Sequence, residues 1–477
     1  MNGSDQAASM NASLDAPPGE RRSVLPGSES SEGRATAADT PWPSAQRGWW
    51  AVGVFILTLT AANLDRGVLN LLVESIKRDL HLSDTQMSLL IGFAFVAFYL
   101  LVGLPIARWV DRGSRRLILG FSVATWSIGT SLCGIAHNFT QLALCRLGMG
   151  AADAATAPGI GSMIADFFPR ERLARAMSVM AVALVGGNAL ALLLGAAVIH
   201  GVAHVTSIQI PLVGRVFPWQ LTFFIVGVPS LLVAALYMTL PEPVRRGRLG
   251  REPRRGTIAI RDVIRFLIAN QAAYGPMFWG FALGIVVSAG YQAWTPTLFS
   301  RNYGWSAAHF GSVAGSIVLV LAPLGLLAGI RGNEWLYSRG YKDANMRLTV
   351  IVHWLVLPAT ILLPLMPTAH WALALYAWAT VVTMGSVGSL TAALTTITPN
   401  EMRGQVTALY MIVYNVIGFG IGPTLIAFCT DHVFGHESQL RYAMFVVALL
   451  LAPAGNLILT LGVPAYGRAY VRSEQWR

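Results

Sequence analysis

Charged side chains are scarce, at 12% of the 477 residues, about half the share near 25% of an ordinary soluble domain. A chain this poor in charge and 54% hydrophobic is not built to present its whole surface to water. Cysteine is scarce too. Cys133, Cys145 and Cys429 show neither metal-ligand spacing nor a disulfide framework, and read as small buried hydrophobes. There is no Walker loop, which disfavours ATP-driven work by this chain. There is also no GxSxG elbow and no His/Cys/acid cluster at metal-binding spacing. No enzyme, cofactor or metal is therefore expected, and the loops that would have to hold catalytic groups are short and mainly basic.

Long apolar runs fill the space that charge leaves. Twelve stretches of roughly 20 residues, the length that crosses a bilayer, fall near 49–74, 86–108, 116–136, 141–165, 175–199, 219–240, 266–291, 308–330, 347–366, 371–396, 404–428 and 441–465. The expected fold is an all-α, multi-pass membrane protein. The net charge of +11 could point to nucleic acid, but its placement argues otherwise. With the N-terminus in the cytoplasm, 27 of the 34 Lys and Arg lie on that side. Lys77, Arg78, Arg215, Arg301 and Arg441 fall outside, and Arg66 and Arg146 fall within helices. This asymmetry is the positive-inside pattern and puts both termini in the cytoplasm. The basic surplus serves topology and anionic lipid headgroups, and no nucleic-acid partner is expected.

The longest polar stretch inside the helical region, 242–265, separates six runs from six. The expected organisation is a disordered cytoplasmic tail over 1–46, a six-helix half over 47–241, a basic linker over 242–265, a second six-helix half over 266–466 and a cytoplasmic tail over 467–477. Residues 1–46 lack the apolar core of a cleaved leader and are rich in Ser, Ala, Pro and Gly. The halves echo one another. Phe168-Pro169-Arg170-Glu171 follows the fourth run and Thr398-Pro399-Asn400-Glu401 the tenth, with Pro and Glu at the same offset. Repeated halves around a central cavity are a carrier architecture.

Two charge clusters interrupt the apolar runs: Asp65-Arg66 in the first, and Arg146 with Asp153 in the fourth. Each charge costs about 2.5–3.5 kcal/mol at a lipid-facing helix centre, so it is kept only where it meets another charge, water or a ligand. Arg146 and Asp153 are two turns apart and share a face. Gly148 and Gly150 invite close approach of a neighbour, and Pro158 would free a backbone carbonyl. Together the four charges can hold an anion on arginine and a proton on carboxylate, or they can simply be salt bridges between helices. The second half offers polar and aromatic groups without an intramembrane charge. Tyr291, Gln292 and Trp294 lie near the outer end of the seventh run, as ligand contacts or as an interface belt. Tyr410, Tyr414 and Asn415 form a stripe on the eleventh, for a ligand or for interhelical packing. His353 reads as a satisfied polar group.

Between the second and third runs stands Ala107-Arg108-Trp109-Val110-Asp111-Arg112-Gly113-Ser114-Arg115-Arg116. It resembles the G-x-x-x-D-R-x-x-R-R loop of the major facilitator superfamily, with Ala at the leading Gly. The resemblance implies two pseudo-symmetric six-helix halves, and a cytoplasmic latch made by Asp111, Arg112, Arg115 and Arg116. Asn63-Leu64-Asp65-Arg66, Trp126-Ser127, Arg146-Leu147-Gly148-Met149-Gly150-Ala151-Ala152-Asp153-Ala154 and Ile164-Ala165-Asp166-Phe167-Phe168-Pro169 further resemble its Spinster-like branch, with Asp153 where Glu is usual. The sugar-acid and aromatic-acid importers share the Asp-Arg of the first run and come second. Gly186-Gly187-Asn188 lacks the Gly-Pro signature of drug–proton antiporters.

In this family the first and fourth helices line the cavity. The resemblance therefore implies a secondary active transporter of a small organic anion or lysolipid-like amphiphile. Arg66 and Arg146, with Tyr291, Gln292, Tyr410, Tyr414 and Asn415, would bind substrate. Asp153 would carry the proton and Asp65 would assist it or serve as counter-ion. The expected partners are that substrate, protons and membrane lipids, for a monomer in the bacterial inner membrane. A drug or metabolite efflux carrier and a non-transporting receptor are the alternatives.

Overall fold

The computed structural model describes residues 41–205, 208–210, 214–245 and 259–474. Most of the expected tail 1–46 and the central part of the linker 242–265 lie outside the described residues. The fold is nearly all helix. Among the described residues, eleven helical stretches are long and apolar enough to cross a membrane. We number the helices α1 (Ala45–Leu71), α2 (Asp84–Gly103, continuing to Arg112), α3 (Arg115–Cys133), α4 (Phe139–Asp153), α5 (Thr156–Phe167), α6 (Arg170–Val202) and α7 (Pro218–Thr239) in the first half. An amphipathic helix α8 (Ile260–Ala269) leads into α9 (Gln271–Tyr303), α10 (Ala307–Ser338), α11 (Ala344–Leu365), α12 (Ala369–Thr396), α13 (Arg403–Phe434) and α14 (Glu437–Ser473). A short helix, Val73–Leu80, follows α1, and a two-stranded hairpin, β1 (Ile208–Ile210) against β2 (Gly214–Val216), joins α6 to α7.

Caps set several helix starts. Ser44 accepts from the Arg47 N–H ahead of α1, Ser83 and Gln86 form a reciprocal capping box at α2, and Asn138 caps α4. Pro218 opens α7, where its missing N–H has no intrahelical partner to lose.

The fourth run, expected as one helix over 141–165, folds as two pieces. Helix α4 ends at Asp153 and α5 begins at Thr156. Pro158 sits in the first turn of α5, where the proline ring is tolerated but cannot continue the preceding turn. Neither piece alone spans a bilayer, which is why eleven stretches and not twelve pass on length and apolarity. Helix ends also overrun expectation. Helix α14 remains helical to Ser473, well into 467–477, and α8 occupies the end of the linker. Hydropathy marks where lipid ends, not where hydrogen bonding ends.

Two π-helical segments, Leu89–Phe93 in α2 and Tyr414–Ile421 in α13, meet across the two halves. Gly92 lies against the Phe419 carbonyl there. The principal core runs through both halves, from Phe55, Trp126, Phe167 and Trp219 to Trp294, Leu298 and Ile426. Leu101, Phe121, Leu232 and Leu461 are exposed on the outside, as lipid-facing side chains of a bundle are.

Of the two glycines flagged on α4, only Gly150 makes a close approach. A Cβ there would collide with the backbone carbonyl of Phe95 on α2, whereas Gly148 faces open space. Gly150→Ala should therefore destabilise the protein by about 1–3 kcal/mol through enforced separation of α2 and α4. Gly148→Ala should leave it unchanged. Thermal unfolding of the two purified variants checks the contrast, and equal melting temperatures would contradict it.

Candidate functional site

The four intramembrane charges come together between α1 and α4. Arg66 Nη1 donates to Asp153 Oδ2 at 3.4 Å and Arg66 Nη2 to Asn63 Oδ1 at 3.5 Å. This pair is the accessible side of the cluster, with side-chain exposures of 42% for Arg66 and 14% for Asp153. Behind it, Asp65 and Arg146 are buried. Asp65 Oδ2 accepts from the Thr130 hydroxyl of α3 at 3.0 Å. Arg146 Nε donates to the Leu90 carbonyl at 3.2 Å. Leu90 lies in the first π-helical segment, where the widened turn leaves a carbonyl available to a side chain. Both guanidinium groups lie over the ring of Phe95, at 5.7 Å for Arg66 and 5.5 Å for Arg146. The other three charges are all within electrostatic reach of Asp65.

The buried pair is incompletely satisfied. Asp65 Oδ1 and Arg146 Nη1 have no hydrogen-bond partner among the described residues. Such atoms cost about 1–3 kcal/mol each, more when charged, and in a native fold they ask for an explanation. A carboxylate oxygen that lacks a donor can take a proton, and a guanidinium nitrogen that lacks an acceptor can take an anion. The cluster can do both within one electrostatic unit.

The second half meets this site through aromatics. Phe281 of α9 stacks on Tyr414 at 6.1 Å and also contacts Tyr410 and His353, each at 5.8 Å. Tyr414 is partly exposed and within electrostatic reach of Arg66. Tyr410 is buried against Phe278, and Asn415 bonds back to its own helix by donating to the Met411 carbonyl at 2.8 Å. Tyr291 donates to the carbonyl of Thr360 at 2.6 Å and lies 3.3 Å from that of Met444. Its hydroxyl thus ties α9 to α11 and α14 and is not presented to a ligand here. Gln292 is exposed. His353 Nδ1 is held 2.8 Å from the Thr349 carbonyl.

At the termini end, Arg115 is buried and anchors a cluster within the first half. It pairs with Asp166 and, at 2.9 Å, with Glu242, and donates to the Pro243 carbonyl at 2.8 Å. The backbone N–H of Arg116 donates to Glu242 at 3.0 Å, and Ser114 Oγ donates to it at 2.9 Å. Burial by itself would raise the Glu242 pKa. The Arg116 N–H, Arg115 and Ser114 more than offset it and hold the carboxyl below its ordinary range. Arg112 is exposed, and the Asp111 side chain lies outside what the structure describes. The acids of this cluster, Asp166 and Glu242, were not picked out by the loop motif.

A second ionic cluster, unanticipated from sequence, closes the opposite end. Arg301, at the end of α9, forms a two-pronged pair with Asp84 at 2.7 Å on each prong, and pairs with Glu74 at 2.7 Å. Lys77 bridges Asp84 at 2.5 Å and Glu437 at 2.6 Å. Thr85 donates to Asp431 from both its N–H and its hydroxyl at 2.7 Å. Lys77–Glu437, Arg301–Glu74 and Arg301–Asp84 join the two halves at this end. The only sequence hint was that Lys77 and Arg301 belong to the few cations placed on that side.

Ion pairs thus join the two helical halves at one end, and a separate cluster of four charges lies between helices of the first half. A profile of the Major Facilitator Superfamily matches residues 54–423, and the chain belongs to that family of multi-pass integral membrane transporters. It is 26% identical over 423 residues, 85% of this chain and 90% of the other, to an MFS-type efflux pump of Mycolicibacterium smegmatis. It is 28% identical over 301 residues to the "Probable L-galactonate transporter" of Escherichia coli, covering 61% of this chain and 62% of that one. Its fold matches a bacterial homologue of the human lysosomal transporter Spinster, solved inward-facing and unoccupied, with a TM-score of 0.74, 23% identity and coverage of 91% and 99%.

Proposed function

We propose that this chain is a proton-coupled secondary transporter of an organic anion, small or amphiphilic, that works by alternating access. Counting α4 and α5 as one interrupted span gives twelve, with both termini cytoplasmic and the protein, a monomer, in the bacterial inner membrane. In that orientation the ionic cluster around Arg301 is the closed outer gate, and the cluster around Arg115 belongs to the cytoplasmic face.

The observation that carries the reading is the unpartnered Asp65 Oδ1 and Arg146 Nη1 behind an accessible Arg66–Asp153 pair. An anion arriving at Arg66 draws the guanidinium away from Asp153. The carboxylate, no longer ion-paired, is then open to a proton. Anion and proton then bind cooperatively, and each strengthens the other by the same factor. Arg146 offers the anion a second, desolvated donor, and arginine suits a carboxylate or phosphate through two parallel contacts. Asp65 keeps Arg146 neutralised and is a second place for the proton. Tyr414 approaches from the other half, with Tyr410 and Asn415 behind it; Gln292 and Tyr291 would contribute only if α9 turns during the cycle. Sugar-acid relatives favour a small hydroxy-acid cargo, while the efflux relative favours export.

A thermal-shift screen of sugar acids, aromatic acids and lysolipids identifies the ligand to use in proteoliposomes. Asp153→Asn should then lose accumulation driven by a pH gradient while retaining ligand counterflow. Coupled accumulation at the wild-type level by that variant would overturn the assignment.

A further inference from the structure

Helix α8 is divided into sectors in a way that the transport cycle does not need. At about 100° per residue, Val263, Phe266 and Leu267 share one face. Val263 is fully buried, and Phe266 packs edge-on against Tyr274 at 5.6 Å. Rotating around the helix, the next sector holds Ile260, Ile264 and Ile268, at i, i+4 and i+8. These three are 52%, 44% and 62% exposed. Arg261 and Arg265 come next, also exposed, and Asp262 lies beyond them. The order is therefore bundle, bare isoleucine, arginine, water. One residue after α8 ends, the membrane-crossing helix α9 begins, so α8 adjoins the end of a membrane span.

We propose that α8 lies in the membrane plane on the side of the chain termini and docks on acidic phospholipids. Ile260, Ile264 and Ile268 enter the acyl boundary, and Arg261 and Arg265 engage headgroup phosphates. An in-plane helix with an apolar face flanked by arginine is the form of an interfacial anchor. Charge complementarity favours a lipid surface as occupant. The sequence from 245 to 265 carries eight arginines against two acids, Glu252 and Asp262. The Arg265–Asp262 contact at 3.2 Å is solvent-exposed on both sides, and such a pair is too weak to withhold Arg265 from a phosphate.

The full chain in nanodiscs of phosphatidylcholine, with or without phosphatidylglycerol, tests this by hydrogen–deuterium exchange. Residues 260–269 should exchange more slowly in the acidic bilayer. Arg261→Gln with Arg265→Gln should erase that difference, by roughly fivefold per arginine, without lowering the melting temperature. Ile264→Gln with Ile268→Gln should raise exchange in both bilayers. Equal exchange of the wild type in the two bilayers would overturn the proposal. So would protection reproduced by soluble glycerol phosphate in the neutral bilayer, which makes the ligand a free anion. Protection lost on deleting residues 1–40 would overturn it in favour of the chain's own acidic N-terminal segment.

Discussion

Asp84→Asn is expected to release the end of the bundle that Arg301 now holds shut. The substitution keeps the shape of the side chain but removes the charge that faces Arg301 on two prongs and Lys77 on a third. Asp84 is fully buried and both cations are nearly so. Breaking a buried pair from one side costs about 3–5 kcal/mol, because the partner charges remain in low dielectric. The halves can avoid this cost by separating and letting water reach Arg301 and Lys77. A penalty of that size moves a two-state balance by roughly a hundredfold or more. Spin labels at Arg78 and Ser438, exposed on opposite halves at this end, should report a longer and broader distance distribution in the variant. An unchanged distribution would mean that packing alone closes this end. Glu437→Gln should do far less, since that carboxylate sits at the rim, 60% exposed.

Arg115→Met should be the most damaging single change at the other end. The guanidinium is buried and serves Asp166, Glu242 and two backbone carbonyls, Ser162 and Pro243. Its loss removes a buried positive charge from beside the Asp166 and Glu242 carboxylates, again at about 3–5 kcal/mol. Purified yield and melting temperature in detergent should both fall. Adding Asp166→Leu should restore part of the loss, since the apolar pair removes the carboxylate that Arg115 balanced. Failure of any rescue would point to the backbone contacts as the main role of Arg115. Acid should act through the same cluster. Glu242 is held below the ordinary 4.5 of a free glutamate, so it contributes stability above that value and loses it as pH falls through its lowered pKa. In Arg115→Met that acid limb should flatten.

These clusters also mark what sequence could and could not reveal. Hydropathy over 20 residues located the spans because burial in lipid is an additive property of a window. Asp65, Arg66, Arg146 and Asp153 were legible for the same reason, each being an expensive exception within such a window. The partners Thr130, Leu90 and Phe95 were not, because an ordinary residue in an ordinary helix carries no local sign that it supports a charge. Arg301 is 217 residues from Asp84, and only the tertiary fold pairs them. The interruption at Ala154–Ala155 and the π-helical segments at Leu89–Phe93 and Tyr414–Ile421 depend on how hydrogen bonds are shared between turns, which composition does not encode. Tyr291 illustrates the converse. A tyrosine at a helix end is equally suited to a ligand, an interface or two neighbouring carbonyls, and here the carbonyls hold it.

The phenyl ring beneath both guanidinium groups has a consequence for the proposed cycle. A symporter returns without cargo, and two bare cations inside a membrane would resist that passage. Phe95 gives Arg66 and Arg146 a common resting surface, while Asp65 and Asp153 bring the formal charge of the group to zero. In the proposed cycle the protein then resets without importing a counter-ion. The arriving anion takes Arg66 from Asp153 and from this aromatic face together.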